Sequence, residues 1–489
     1  MRKPDIILFV PDSYRGDVLG HLGNAGAVTP HFDRLLQRGG VSFANAFAQN
    51  PVCTPSRCSF MTGWYPHVHG HRSMKNMLKE YEPSLLSVLR REGWRVWWGG
   101  KNDLCAVEKP DDYLKYCDTR FRPAAPPRYK GYRVPPPLAP DDPRRGAFCR
   151  GVMARDPDAE YSDHDRADVE AAIERLHRRD DTPLCIYLPL RLPHPAYCVE
   201  EEFYERIDPR RLPPRIPPPA PEDRHPPFLD ALRREYGVDQ LDENLWREVR
   251  RIYYAMCAKI DHLFGRLVAA LEETGRYDNS LIVVLSDHGD FTGDYSLPEK
   301  THATLQDVLL RVPLLIKLPA GCAVRPGVRN ALTELVDVPA TLYDVLGIEP
   351  GYAVQGLSLR AALAGNDAER RDAVFAEVGA RAGEAAFRNQ DVLSLAPHEF
   401  YAMQFRAAFA GHEDGSYAVS CRTRDFKYVR RGYSDRHELY DLHHDPGETR
   451  NLIGSPALAP VQAALEQRLL DYFMQTGDVL PHRHDSRRV

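Results

Sequence analysis

The chain has 489 residues, 43% hydrophobic and 27% charged, a balance that supports a large core and excludes disordered, collagen-like and coiled-coil chains. Sixty-four basic against 69 acidic side chains leave a formal charge of −5. That is too even for a general nucleic-acid or polyanion binder, so any anion must be held by a local cluster. Apolar runs such as 6–10 and 281–285 fall far short of the roughly 20 residues of a membrane helix. No membrane partner is therefore expected. The first apolar stretch runs straight into Asp12, so it reads as a buried strand and not as a signal peptide. Ten cysteines without a Cys-x-x-Cys pair or a compact framework point to a reducing, cytoplasmic compartment.

In chain order, strands are expected at 5–10, 95–98, 184–188, 281–285 and 314–318, with helices at 83–92, 163–178 and 244–274. The alternation predicts an α/β sheet covered by helices. In the 244–274 helix, Tyr253, Met256, Ile260, Leu263 and Leu267 recur every three or four residues, so one face packs on the sheet. Proline clusters at 123–143 and 213–227 read as ordered loops or insertions, not linkers. Beyond about 370, strands at 373–378, 417–422 and 426–429 and a closing helix at 457–476 predict a second, smaller domain. The expected division is therefore 1–370 and 371–489.

The most informative stretch is Pro51-Val52-Cys53-Thr54-Pro55-Ser56-Arg57-Cys58, followed by Met61-Thr62-Gly63-Trp64-Tyr65-Pro66-His67. Pro55 can open a helix over 56–60, leaving Cys53 near its N-terminal amides. Both a reactive thiol and a buried structural cysteine fit that placement. His67 and His69, two apart and without a third nearby ligand, read as structural.

These residues resemble the signature of the formylglycine-dependent sulfatases of the alkaline phosphatase superfamily, Cys-x-Pro-Ser-Arg followed by Thr-Gly. Further matches extend the resemblance over almost the whole chain. Asp12 ends the first strand, Thr29-Pro30-His31-Phe32-Asp33-Arg34-Leu35 follows, and Gly100-Lys101 succeeds the second expected strand. Pro193-His194-Pro195-Ala196-Tyr197 and Ser286-Asp287-His288-Gly289-Asp290 also match, as do Glu438-Leu439-Tyr440-Asp441-Leu442 and the run from Asp445 to Leu452. The resemblance implies a large mixed, mostly parallel sheet sandwiched by helices, with a smaller C-terminal domain of antiparallel sheet and one helix.

It further implies that a maturation enzyme oxidises Cys53 to formylglycine. A sulfate ester repels nucleophiles, so its cleavage needs a strong nucleophile and concentrated positive charge. An aldehyde hydrate offers one hydroxyl for attack and a second for expelling sulfate, an exit that a thiol lacks. By the resemblance, Asp12, position 53, Asp287 and His288 hold a divalent metal, with calcium the family's usual ion and magnesium or manganese also compatible with a histidine. Arg57 is expected to hold the formylglycine hydroxyl and the developing anion, Lys101 and Lys300 to grip sulfate oxygens, and His194 to protonate the departing alcohol or hydrogen-bond the sulfate. His302 is a weaker substrate-side candidate.

Two departures from the pattern stand out. Many relatives have two adjacent aspartates where this chain has Asp12-Ser13, so Ser13, water or Asp290 must fill the missing ligand's place. Many also read Lys-x-His where this chain has Lys101-Asn102-Asp103. A carboxylate there repels bare sulfate but accepts hydrogen bonds from a sugar hydroxyl or an ammonium group, so Asp103 is a substrate-recognition candidate. Tyr129, Tyr132 and His398 are further candidate contacts.

The expected activity is hydrolysis of a sulfate monoester, the partner being a sulfated saccharide or small molecule. Two alternatives stay open: a phosphonate monoester or phosphodiester hydrolase of the same superfamily, and a catalytically silent binder of sulfated glycans.

Overall fold

Strand β1 (Asp5–Asp12) is buried along its whole length, which is why its residues form a continuous apolar run and not an alternating pattern. It belongs to a computed structural model that describes residues 2–480, except 140, 179–181, 221–222, 224–227, 367, 369, 382–401, 404–405, 407–415 and 433–435. After β1 come β2 (Gly40–Phe47), β3 (Arg95–Trp98) and β4 (Thr119–Arg120). An antiparallel pair, β5 (Arg128–Arg133) with β6 (Cys149–Ser162), precedes β7 (Leu184–Pro193), β8 (Tyr197–Glu200) and β9 (Ser280–Leu285). Next are β10 (Arg311–Val312), β11 (Leu314–Lys317) and β12 (Gly327–Glu334).

Nine of these strands form one sheet in the order β10-β2-β11-β9-β1-β7-β3-β4, with β12 paired to β2. From β9 to β4 every pair is parallel, whereas β11 runs antiparallel to both of its neighbours. The sheet is therefore mixed and mostly parallel, as expected. The side chains of β1, β7 and β9 feed two apolar layers in alternation. Ile7, Phe9, Ile186, Leu188, Ile282 and Val284 enter one, with the Glu243–Glu273 helix supplying Tyr253, Met256, Ile260, Leu263 and Leu267. Ile6, Leu8, Val10, Tyr187 and Val283 enter the other, against Leu85, Leu86, Leu89, Val338 and Leu342. The Glu243–Glu273 helix begins where Asp242 accepts the Leu245 N–H at 2.8 Å, and Asp163 likewise caps the His164–His177 helix by accepting the Arg166 N–H at 3.0 Å.

Three features differ from the sequence expectation. Strands β2, β6 and β12 were not anticipated, because their polar residues break the period of two, and β2 and β12 pair with each other across most of the chain. The 123–143 proline cluster contains β5. The signature helix runs Cys53–Thr62, so Cys53 opens it and Pro55 sits inside the first turn, where a missing N–H costs nothing.

A second sheet, β13 (Val374–Val378), β14 (Ala418–Arg422), β15 (Phe426–Arg431) and β16 (Glu438–Asp441), is antiparallel throughout. The Ala459–Thr476 helix packs Leu465, Leu469 and Tyr472 against its Val419, Cys421, Tyr428 and Leu439. Polar contacts tie this sheet to the rest of the chain. Arg371 pairs with Glu334 and Asp337, and Lys427 with Asp307 at 2.9 Å and Glu448 at 2.6 Å. His67 bonds Glu377 at 2.5 Å and the Thr476 carbonyl at 3.0 Å. Among the described residues, no helix is long and apolar enough to cross a membrane.

Candidate active site

Parallel strands place their carboxyl ends along one edge, and the loops leaving that edge build the site. Asp12 is the last residue of β1. Asp287 and His288 follow β9, His194 follows β7, and Lys101 lies three residues after β3. Four segments remote in sequence thus meet because β9, β1, β7 and β3 are adjacent.

Asp12, Cys53, Asp287 and His288 each offer one ligand atom, all within 4.8 Å of one another, and all four residues are buried. Cys53 Sγ lies 3.2 Å from His288 Nε2 and 3.8 Å from Asp12 Oδ1. His288 Nδ1 is 2.8 Å from the Gly289 carbonyl oxygen. A carbonyl only accepts, so Nδ1 carries the proton and Nε2 turns its lone pair into the cluster. Asp287 is set by backbone donors, its Oδ1 accepting from Ser13 N–H at 3.2 Å and His288 N–H at 3.0 Å. Ser13 adopts a left-handed φ of 64° and donates its hydroxyl to Asp12 Oδ1 at 2.8 Å. Tyr253 fixes that turn, donating to the Ser13 carbonyl at 2.7 Å while accepting the Arg15 N–H at 2.9 Å.

Arg57 Nη2 bridges Asp12 Oδ2 and Asp287 Oδ2, each at 2.8 Å. Its Nε and Nη1 are buried without a hydrogen-bond partner among the described residues. Orphan donors of this kind point to a ligand. Burial opposes ionisation of Asp12, but the charges of Lys101, His194 and Arg57 outweigh it and hold the carboxyl well below its usual range. Burial pushes the Cys53 thiol well up, with Asp12 adding to the effect. Burial also holds His288 below its ordinary value despite Asp287, leaving a neutral imidazole. Two carboxylates, one neutral imidazole and a fourth position fit a divalent cation, and an oxygen in place of Sγ makes the set harder still.

Of the cations on the other side, Lys101 is partly open and Lys300 is buried. Lys101 Nζ contacts Asp12 and reaches Asp103 Oδ2 at 2.6 Å. Burial would raise the Asp103 carboxyl, but Lys101 and Arg57 hold it below its ordinary value. Lys300 Nζ lies 2.8 Å from His194 Nε2 and 2.7 Å from Glu299 Oε1. His302 is half-buried, and desolvation with the neighbouring Lys300 charge pushes its imidazole down to about 4.

The structure thus brings Asp12, Cys53, Arg57, Lys101, Asp287 and His288 into direct contact, with Asp103 joined through Lys101, and His194 and Lys300 as an adjoining pair. Asp290 stays outside the metal cluster: its Oδ1 accepts from Tyr197 and Thr292. Tyr129 donates to Glu170 at 2.7 Å, Tyr132 lies on β5, and His398 lies outside the described residues. Sequence reading missed Glu299, whose only signal was an acid directly before Lys300, and the Tyr253 hydroxyl, hidden in an apolar stripe.

The Sulfatase family model matches residues 4–348. The multifunctional alkaline phosphatase superfamily protein PehA of Trinickia caryophylli is 27% identical over 99% of this chain and 98% of its own. The arylsulfatase of Clostridium perfringens is 25% identical over 93% and 91%. A phosphonate monoester hydrolase of Silicibacter pomeroyi shares the fold, with a TM-score of 0.73 at 24% identity over 97% of this chain and 96% of that one. With a family match over more than half its length and the signature cysteine inside the buried cluster, the chain belongs to the sulfatase family.

Proposed function

We propose that the protein hydrolyses a sulfate monoester of a carbohydrate or small alcohol, using a formylglycine made from Cys53 by a maturation enzyme and a divalent metal. The observation that carries this reading is the convergence of Asp12, Cys53, Asp287 and His288 within 4.8 Å, bordered by Arg57 and Lys101. When bound, the metal acts as a Lewis acid on the ester. Calcium, the ion usual in the sulfatase family, is the one we assign to this carboxylate-rich set, and magnesium or manganese would be accommodated by His288. The hydrate of the aldehyde supplies a nucleophile with a built-in exit.

The chain's own residues do the rest. Arg57 bridges the two metal-binding carboxylates, offsetting their mutual repulsion, and offers its orphan donors to the anion. Lys101 and Lys300 hold sulfate oxygens from the side facing the nucleophile corner. His194 gives a proton to the leaving oxygen. Ser13 orients Asp12 through its hydroxyl in place of a second carboxylate. Asp103 and His302 line the substrate side, Asp103 tempering Lys101 and contacting substrate hydroxyl or ammonium groups.

We assign catalysis to residues 1–370 and a supporting domain to 371–489. The location we propose is cytoplasmic, on the scattered spacing of the ten cysteines in the sequence.

The test is parallel turnover of matched aryl sulfate, phosphate and phosphonate esters by matured, metal-loaded protein. Sulfate turnover should dominate, and conversion of Cys53 should appear as a mass loss of about 18 Da. A second reading, phosphonate monoester or phosphodiester hydrolysis, draws on one feature: this clamp of cations suits any tetrahedral ester with a single negative charge. Dominant phosphorus turnover would establish it instead.

A further inference from the structure

Glu299 is fully buried and belongs to no part of the machinery assigned above. Its backbone takes a φ of 57°, uncommon for a residue with a side chain, and is pinned on both sides. The Glu299 N–H donates to the Tyr197 hydroxyl at 2.9 Å, and its carbonyl accepts the Phe291 N–H at 2.8 Å. Held there, Oε1 lies 2.7 Å from Lys300 Nζ and 3.2 Å from His194 Nε2. Lys300 Nζ and His194 Nε2 are themselves 2.8 Å apart. The three groups form a closed triangle.

The imidazole's other nitrogen decides what this triangle does. His194 Nδ1 sits 2.6 Å from the Pro195 carbonyl oxygen, so Nδ1 keeps its proton and only Nε2 can deliver one to a substrate. In the free enzyme Nε2 accepts from the Lys300 ammonium. Once Lys300 turns its protons to a sulfate oxygen, Nε2 must carry a proton of its own, placing two cations side by side. Such a pair is repulsive unless a carboxylate touches both. Burial would raise the Glu299 carboxyl, but Lys300 and His194 outweigh it and hold it down at about 2, so the group is an anion.

We infer that Glu299 is a positioning residue for proton delivery: its carboxylate, touching both His194 Nε2 and Lys300 Nζ, lets the imidazole donate while the ammonium holds the sulfate. As the S–O bond breaks, its electron pair stays on the leaving oxygen, which takes the proton from Nε2. The imidazole, neutral again, accepts from the Lys300 ammonium as in the free enzyme, and takes its next proton from solvent when the following substrate draws Lys300 away. The inference rests on the sulfate-ester reading and makes a claim specific to leaving groups. A nitrophenolate departs without protonation, whereas an alkoxide does not.

The test compares 4-nitrophenyl sulfate with an alkyl sulfate as substrates of matured, metal-loaded wild type, E299Q and H194Q. E299Q should lose about 30-fold or more in kcat on the alkyl ester and less than about threefold on the aryl ester. In the H194Q background, adding E299Q should leave the alkyl-to-aryl ratio unchanged. Equal losses on both esters, or a further change in ratio in the H194Q background, would overturn the inference. If E299Q does not fold, E299D keeps the charge but withdraws the carboxylate by one methylene, and the same ratio should fall. An unchanged ratio in E299D would overturn the inference as well. Wild-type protein inactive on both sulfates would reject the underlying reading instead, so the two failures are distinct.

Discussion

The two halves of the site are built differently. The nucleophile corner is sealed: Asp12, Arg57, Asp287 and His288 are 0% exposed and Cys53 is 2% exposed. Its carboxylates are set by strand ends and by backbone donors such as the Ser13 and His288 N–H groups. The substrate side is partly open, with the Lys101, Asp103 and His194 side chains 18%, 20% and 17% exposed and Lys300 buried at 4%, and its members are held by one another's charges. Position in the corner is therefore inherited from the sheet. On the substrate side it depends on pairings that a ligand can exchange.

Substitutions should separate the halves. The largest effect is expected for C53A in the corner, which removes the formylglycine precursor and should cost on the order of 10⁴-fold or more in kcat with unchanged folding. Steady-state assay alongside a thermal melt checks this. R57A should come next, because it leaves two buried carboxylates facing each other. Unfolding free energy in chelator should fall by about 3–5 kcal/mol, and a divalent cation should recover part of that loss.

A buried carboxylate outside the site supplies a control. Asp261 accepts the His31 and Phe32 N–H groups, yet burial pushes its carboxyl up to about 7. Between its unfolded and folded values the folded chain keeps a proton that the unfolded chain has released, so the contribution of Asp261 to stability is greatest below about pH 4 and declines as pH rises toward 7. Denaturant titrations of wild type and D261N across that range should differ by a pH-dependent amount of at most about 4 kcal/mol, the wild type losing stability relative to D261N as pH rises.

On the open side, H194Q should cost about 100-fold in kcat on alkyl sulfates, measured against an unaltered melting temperature. The smallest effect is expected from D103N. Freeing Lys101 from its partner should lower KM for a plain aryl sulfate by about two- to fivefold, while KM for an amino-sugar sulfate should rise.

Much of this was legible in the chain itself. The strands at 95–98 and 281–285 and the long helix after Asp242 declare themselves through unbroken apolar runs and a three-to-four spacing, which are local properties. Asp12, Cys53, Asp287 and His288 stood out because chemistry-bearing residues sat directly after such strands or inside a specific signature. Glu299 did not, since an acid beside a lysine in a loop is ordinary until the fold sets both against His194. Strand β12 was equally hidden: its polar face makes sense only beside β2.

What local sequence determined, then, is the set of strands, the signature helix and the residue types able to carry the chemistry, because these follow from burial pattern and short-range bonding. Only the tertiary structure decided which of them meet. The parallel order β9, β1, β7, β3 aligns four loop origins at one edge, and the low dielectric behind that edge turns scattered acids and bases into one coupled group.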